Sequence, residues 1–205
     1  MNDNRVEFKS GDLTLEGLLS VGGRKGAVLA HPHPVLGGNM RDHVLMAMSQ
    51  AFIGAGYSTL RFNFRGTGRS EGFFDNGTGE QEDLKSAVNY LKIMGYEQTI
   101  LAGYSFGAWV SSKISMSPNI SGDISGVIMV SPPISEMEFD FEYSRVDLVI
   151  TGDSDPFCPL DSLAGYAAAN GFKVAVVPGA DHFYFGKELQ LIERLNNFLK
   201  AWSGE

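Results

Sequence analysis

Apolar residues fall in short, β-rich runs along this chain, and between most of them lie stretches where apolar positions recur every three or four residues. Val6 to Phe8 and Leu13 to Leu19 read as two strands joined by the turn residues Ser10-Gly11-Asp12, an N-terminal antiparallel hairpin. Further runs follow at Ala27 to Ala30, Ser58 to Phe64, Gln98 to Ala102, Ser125 to Val130, Val146 to Ile150 and Lys173 to Val177. They are continuously apolar, which suits a parallel sheet covered on both faces, and enough chain separates each from the next for a crossover. The intervening stretches supply helices. Thr78 with Gln81 forms a capping box ahead of the apolar face Leu84, Ala87, Val88 and Leu91, and Gly95 stops that helix. Phe106, Trp109, Val110 and Ile114 keep helical spacing until Pro118, a helix carries Val44 to Ile53, and Ile192, Leu195, Leu199 and Trp202 define the last. The pattern predicts an α/β fold with residues 1–205 as a single domain: a mostly parallel, twisted sheet of about eight strands flanked by helices.

Composition narrows the function. A chain of 205 residues with 43% apolar and 20% charged residues buries a sizeable core without staples. The net charge of -8, with 16 basic residues scattered singly along the sequence, argues against nucleic acid as a partner. No apolar run reaches membrane-spanning length and the N-terminus lacks a charged-then-apolar signal, so the expectation is a cytoplasmic protein without a membrane partner. Cys158 is the single cysteine, which rules out an intrachain disulfide, and beside Pro156, Phe157 and Pro159 it reads as a space-filling residue. The pattern leaves the oligomeric state open, a homodimer included.

Candidate chemistry centres on Gly103-Tyr104-Ser105-Phe106-Gly107, which follows a strand-like run and opens a helical one. With 25 glycines and 19 serines, Gly-x-Ser-x-Gly is expected by chance roughly 0.3 times, so context must decide. Gly68-Arg69-Ser70-Glu71-Gly72 fits the same expression inside a turn-rich stretch with no helical periodicity, and Ser70 reads as a loop serine. At Ser105 the context is that of a nucleophile elbow, a tight strand-to-helix turn whose flanking glycines let strand and helix approach. A serine nucleophile needs a base and an orienting carboxylate. Of the four histidines, His182 lies just after the last strand and before the last helix, where it can be presented over the sheet. Thr151-Gly152-Asp153-Ser154-Asp155 follows the preceding strand; Asp155 is placed to reach His182, whereas Asp153 caps its own turn. Two backbone N–H groups should face the developing oxyanion: that of Phe106, and one from His31-Pro32-His33-Pro34-Val35, where the prolines leave His33 or Val35.

Taken together, these segments resemble a small serine hydrolase of the α/β-hydrolase superfamily, of the compact dienelactone-hydrolase-like kind. The resemblance spans nearly the whole chain and rests on the elbow, the His31-Pro32-His33-Pro34 loop with Gly37-Gly38, Arg61 to Gly72, Gly152 to Asp155, and Asp181-His182-Phe183. It implies an α/β-hydrolase fold with a Ser105, Asp155, His182 triad, needing neither metal nor organic cofactor, acting on a small carboxylic ester or related acyl compound. Dienelactone hydrolases proper carry a cysteine nucleophile where this chain has Ser105, so their lactone substrate does not transfer. Many members of the superfamily insert a cap where this chain has only Ser131 to Arg145, which predicts a minimal cap and a shallow, open site. Within that segment acidic and apolar residues alternate, which would put Met137, Phe139, Phe141 and Tyr143 on one wall of an acyl pocket, with Phe183 also near the substrate. Three rivals stand beside this reading: thioester hydrolysis or acyl transfer on the same triad, a non-catalytic binding protein using the acidic-aromatic segment, and a metal cluster of His31, His33, Asp42 and His43.

Overall fold

A sheet of order β1-β2-β4-β3-β5-β6-β7-β8 runs through the computed structural model, which describes residues 3–96, 98–119 and 121–202. Strands β1 (Asp3–Ser10) and β2 (Leu13–Ser20) form the antiparallel hairpin, closed by Gly11 in a left-handed conformation (φ 57°) that glycine adopts without a Cβ penalty. β2 runs antiparallel to β4 (Tyr57–Phe62); from there β3 (Lys25–Ala30), β5 (Thr99–Tyr104), β6 (Ile124–Val130), β7 (Leu148–Gly152) and β8 (Lys173–Val177) are all parallel. Each sequence-predicted strand is present, with ends displaced by up to three residues, the most at the start of β1.

The pleat sorts alternate side chains of these apolar strands into two cores. Val28, Leu101, Val127, Met129 and Val149 point to one face, covered by Leu84, Val88 and Leu91 of α2 (Thr78–Ile93) and Val110 and Ile114 of α3 (Phe106–Ile114). Ala27, Leu29, Ile100, Ala102, Ile128 and Ile150 point to the other, covered by Val44, Leu45, Met48 and Phe52 of α1 (His43–Gly54) and Leu191, Leu195 and Leu199 of α5 (Glu188–Ala201). Continuous burial on both faces is why the strands read as unbroken apolar runs.

Three local expectations are corrected. The α2 cap is not Thr78 with Gln81: Gly77 takes the N-cap place, and Glu80 accepts hydrogen bonds from the N–H groups of Gly77 (2.7 Å) and Asp75 (3.0 Å). A capping glycine has no side chain to return the bond, so only the glutamate half of the box exists. Helix α3 stops at Ile114 rather than running to Pro118. A further helix, α4 (Leu160–Asn170), packs chiefly through Leu163; its run of alanine and glycine gives almost no apolar stripe to read.

Candidate active site

Ser105 sits between β5 and α3 with φ 54° and ψ -118°, a backbone conformation that side-chain-bearing residues rarely adopt. Its N–H donates to the Val130 carbonyl of the neighbouring strand at 3.0 Å, which holds the turn against β6. The flanking glycines are required by contact distance. A Cβ on Gly103 would lie 2.2 Å from the Gly107 carbonyl oxygen, and one on Gly107 would lie 2.2 Å from the Ala30 carbonyl oxygen at the end of β3. Backbone therefore meets backbone on both sides of the serine, and its hydroxyl is turned up over the ends of the strands.

Two further strand ends deliver partners to it. The loop after β8 carries His182, whose Nε2 lies 3.0 Å from Ser105 Oγ, and the loop after β7 carries Asp155, whose Oδ2 lies 3.0 Å and Oδ1 3.1 Å from His182 Nδ1. An Nδ1–H donating to the carboxylate leaves Nε2 free to accept the serine proton. Asp155 is almost fully buried. Burial pushes its pKa up, but the hydrogen bond and charge of His182, the Ser131 hydroxyl and the Phe157 N–H outweigh this and hold it below the ordinary carboxylate value. The N–H groups of Phe157 (2.9 Å) and Cys158 (3.3 Å) both donate to Oδ1, fixing the carboxylate. Asp153 points elsewhere. It accepts from the Gly179 N–H at 2.8 Å, binding the β7 and β8 loops together rather than capping its own turn.

A cleft of about 510 Å³ opens above Ser105 between His33, Phe106, Met137, Phe157, His182 and Phe183. Among the described residues no acceptor takes the N–H of Phe106, first residue of α3, or that of His33. The rings of His33 and Phe106 stack 4.9 Å apart at the cleft wall, and burial lowers the His33 pKa. Val35, two-thirds exposed on a 3₁₀ turn, does not line the cleft.

The expected aromatic wall is only partly there. Met137 and Phe183 line the cleft, but Phe139 and Phe141 do not: they stack on each other (5.3 Å), and Phe141 packs against Tyr166 of α4 and Phe172. Alternation would have needed an extended strand, whereas Glu136 and Met137 turn back onto the Pro133 carbonyl and residues 141–143 form a 3₁₀ turn. The side chain of Tyr143 lies outside the described residues. This segment is the whole of the excursion between β6 and β7, tied down by Trp109 Nε1 donating to the Glu138 carbonyl at 3.0 Å, so the cleft has no cap.

His31 is a structural residue. Its Nε2 accepts the Phe64 N–H at 3.1 Å and its Nδ1 donates to the Pro32 carbonyl at 2.7 Å, while burial lowers its pKa to about 4. With both ring nitrogens engaged it offers no metal ligand, which removes the first member of the His31, His33, Asp42, His43 arrangement. His43 begins α1 and lines the cleft, donating from Nε2 to the Phe183 carbonyl at 2.8 Å and stacking on Phe185 at 4.8 Å. Sequence reasoning missed this role, because the 140 residues between His43 and Phe183 carry no signal of their contact. Tyr104 was also missed; its hydroxyl donates to the His182 carbonyl at 2.8 Å and steadies the histidine loop. Ser70 is a loop residue as expected, accepting from the Glu16 N–H and donating to the Asn63 carbonyl.

Comparison with known proteins gives the following. No family model matches the chain. A protein of unknown function from Agrobacterium tumefaciens, described as a putative α/β hydrolase, is 30% identical over 98% of this chain and 95% of its own, with a TM-score of 0.85. An α/β serine hydrolase without a lid from Xanthomonas campestris is 25% identical over 98% of this chain and 95% of its own, with a TM-score of 0.87. An α/β serine hydrolase homologue from Coxiella burnetii is 28% identical over 96% and 97%, with a TM-score of 0.82.

Proposed function

The chain belongs to the α/β-hydrolase superfamily as one of its small, capless members, a hydrolase, and from that premise we propose that it cleaves a small carboxylic ester through a serine-bound acyl intermediate. The observation that carries the reading is the unbroken run of contacts from Asp155 through His182 to Ser105, each about one hydrogen bond long, at the mouth of an apolar cleft.

In this mechanism Ser105 Oγ attacks the ester carbonyl carbon while its proton passes to His182 Nε2. Asp155 accepts the Nδ1–H throughout, keeps the imidazole in the useful tautomer, and stabilises the imidazolium that forms. Negative charge develops on the former carbonyl oxygen, and the N–H groups of Phe106 and His33, for which the described residues offer no acceptor, are its donors; each such donor contributes about 3 kcal/mol to a transition state. Collapse of the tetrahedral species breaks the bond to the alcohol oxygen, which takes the proton from His182. Water then repeats the cycle on the acyl-serine, with His182 again the base, and releases the acid. None of these steps calls on a metal or an organic cofactor.

The test pairs a short-chain chromogenic ester with the Ser105→Ala variant, and adds an active-site fluorophosphonate. Wild-type turnover with loss in the variant, together with labelling at Ser105, is expected. Equal turnover by both proteins would remove Ser105 from the reaction, and a folded wild type that resists the label would favour a binding role.

A further inference from the structure

Gly37 and Gly38 separate two spaces. On one side is the cleft over Ser105; on the other is a cavity of about 560 Å³ that the proposed ester chemistry does not use. Although basic residues are scattered along the sequence, the fold gathers three of the chain's eight arginines on this wall: Arg5 of β1, Arg41 ahead of α1, and Arg69 in the loop after β4. Among the described residues neither Arg5 nor Arg41 has an ion-pair partner; Arg69 meets Glu7 at 3.4 Å, both largely exposed, where such a pair is weak. Among the described residues Glu16 is the one carboxylate on the wall, and its Oε1 is already taken by Asn63 Nδ2 (2.8 Å) and the Arg69 N–H (2.7 Å).

The frame around these cations is fixed. Asn63 also accepts the Met40 N–H at 2.8 Å, linking the loop before α1 to the loop after β4 across the cavity floor. Bare backbone lines both loops: a Cβ on Gly38 would lie 2.1 Å from the Pro32 carbonyl oxygen, and one on Gly68 would lie 2.4 Å from Asn63 Nδ2. These are the Gly66-Thr67-Gly68-Arg69 and Gly37-Gly38-Asn39-Met40-Arg41 segments; Gly37 and Gly38 border the Ser105 cleft as well, but the proposed serine chemistry gives Asn39 to Arg41 and Gly66 to Arg69 no role.

We propose that this cavity binds a phosphate-type dianion, either free or carried on a small molecule. Guanidinium forks match the oxygen pairs of phosphate and carboxylate, but three of them facing a single carboxylate exceed what a second, monoanionic carboxylate could engage. A phosphoryl group offers more oxygens and a second charge. The volume exceeds that of bare phosphate, which leaves room for a carrier.

Calorimetric titration at low ionic strength with inorganic phosphate and with glycerol phosphate tests this on the wild type, on Ser105→Ala, on Arg5→Ala/Arg41→Ala, and on Arg24→Ala, an exposed arginine outside the cavity. Saturable binding of one phosphate is expected, unchanged in Ser105→Ala and Arg24→Ala. The double variant should weaken it at least about tenfold, the effect of losing one charge-assisted hydrogen bond. Tighter binding of glycerol phosphate than of phosphate assigns the site to a phosphorylated small molecule; equal binding assigns it to the free anion. Absence of saturable binding in the wild type, an unaltered affinity in the double variant, or an equal loss in Arg24→Ala overturns the proposal. Arg5 and Arg41 are exposed, so their truncation leaves the core intact, and the single Arg41→Ala variant provides the same reading should the double variant misfold.

Discussion

At residue scale, the two aspartates after β7 differ by what they touch. Asp155→Asn keeps the shape but offers an amide to His182 Nδ1, which favours the wrong tautomer; turnover should fall by about four orders of magnitude with the fold retained. Asp153→Asn loses part of a loop contact and should lower stability by about 1 kcal/mol with near-normal turnover. Parallel ester kinetics and urea melts on the pair check both outcomes. His31 gives a pH effect of definite sign. Its pKa is about 4 in the fold against an ordinary 6.5, so between those values the unfolded chain takes up a proton that the native protein refuses. The His31 contribution is complete above pH 6.5, declines as pH falls toward 4, and levels off below, a total of about 3 kcal/mol. Urea midpoints across that window should fall with acidification in the wild type and less steeply in His31→Gln; a flat wild-type profile contradicts the assignment. The positions of His182 and Asp155 could be read from the chain because histidine is scarce and strand-end loops are where such groups are presented. Phe139 and Phe141 were misplaced because alternation looks the same in a strand and in a segment bent by neighbouring turns.

At element scale, the elbow is a contact between two backbones, and its glycines should be intolerant of the smallest added group. Gly103→Ala and Gly107→Ala each place a carbon 2.2 Å from a carbonyl oxygen and should destabilise by about 3 kcal/mol or more, whereas Gly122→Ala, with nothing among the described residues within 4 Å, should be close to neutral. Thermal melts of the three variants measure this, and an unperturbed Gly107→Ala would mean that α3 does not lie against β3. Strands β3 to β7 proved legible as elements because burial on two faces leaves an unmistakable apolar run; the partly exposed edge strand β8 nonetheless matches its expected span at both ends. Helix α4 was not, since it presents little more than Leu163 to the core. The start of α2 was misread by one residue because Thr78-x-x-Gln81 and Gly77-x-x-Glu80 are overlapping cap signals, and only the glutamate oxygens reach the N–H groups of Gly77 and Asp75.

Across the whole molecule, the short tether between β6 and β7 leaves the cleft open to solvent, with Phe183 and Phe185 exposed at its rim. A long acyl chain would find no enclosing roof over most of its length, so acyl selectivity should favour short chains. Measuring kcat/KM on a series of p-nitrophenyl esters of increasing chain length checks this; faster turnover of long, lipid-like esters would contradict it. The gathering of Arg5, Arg41 and Arg69 belongs to this scale too, since it exists only once the β1 edge, the loop before α1 and the loop after β4 are brought side by side. The amino-acid order alone determined the α/β class, the order and kind of most elements, the elbow at Ser105, and the residue types that could serve it, because each of these is written in local periodicity and in backbone requirements that span a few residues. Tertiary structure alone decided that His43 reaches Phe183, that Phe141 belongs to the core, and that the arginines share a cavity, because those contacts join residues far apart in the chain whose distance depends on the twist and register of the whole sheet.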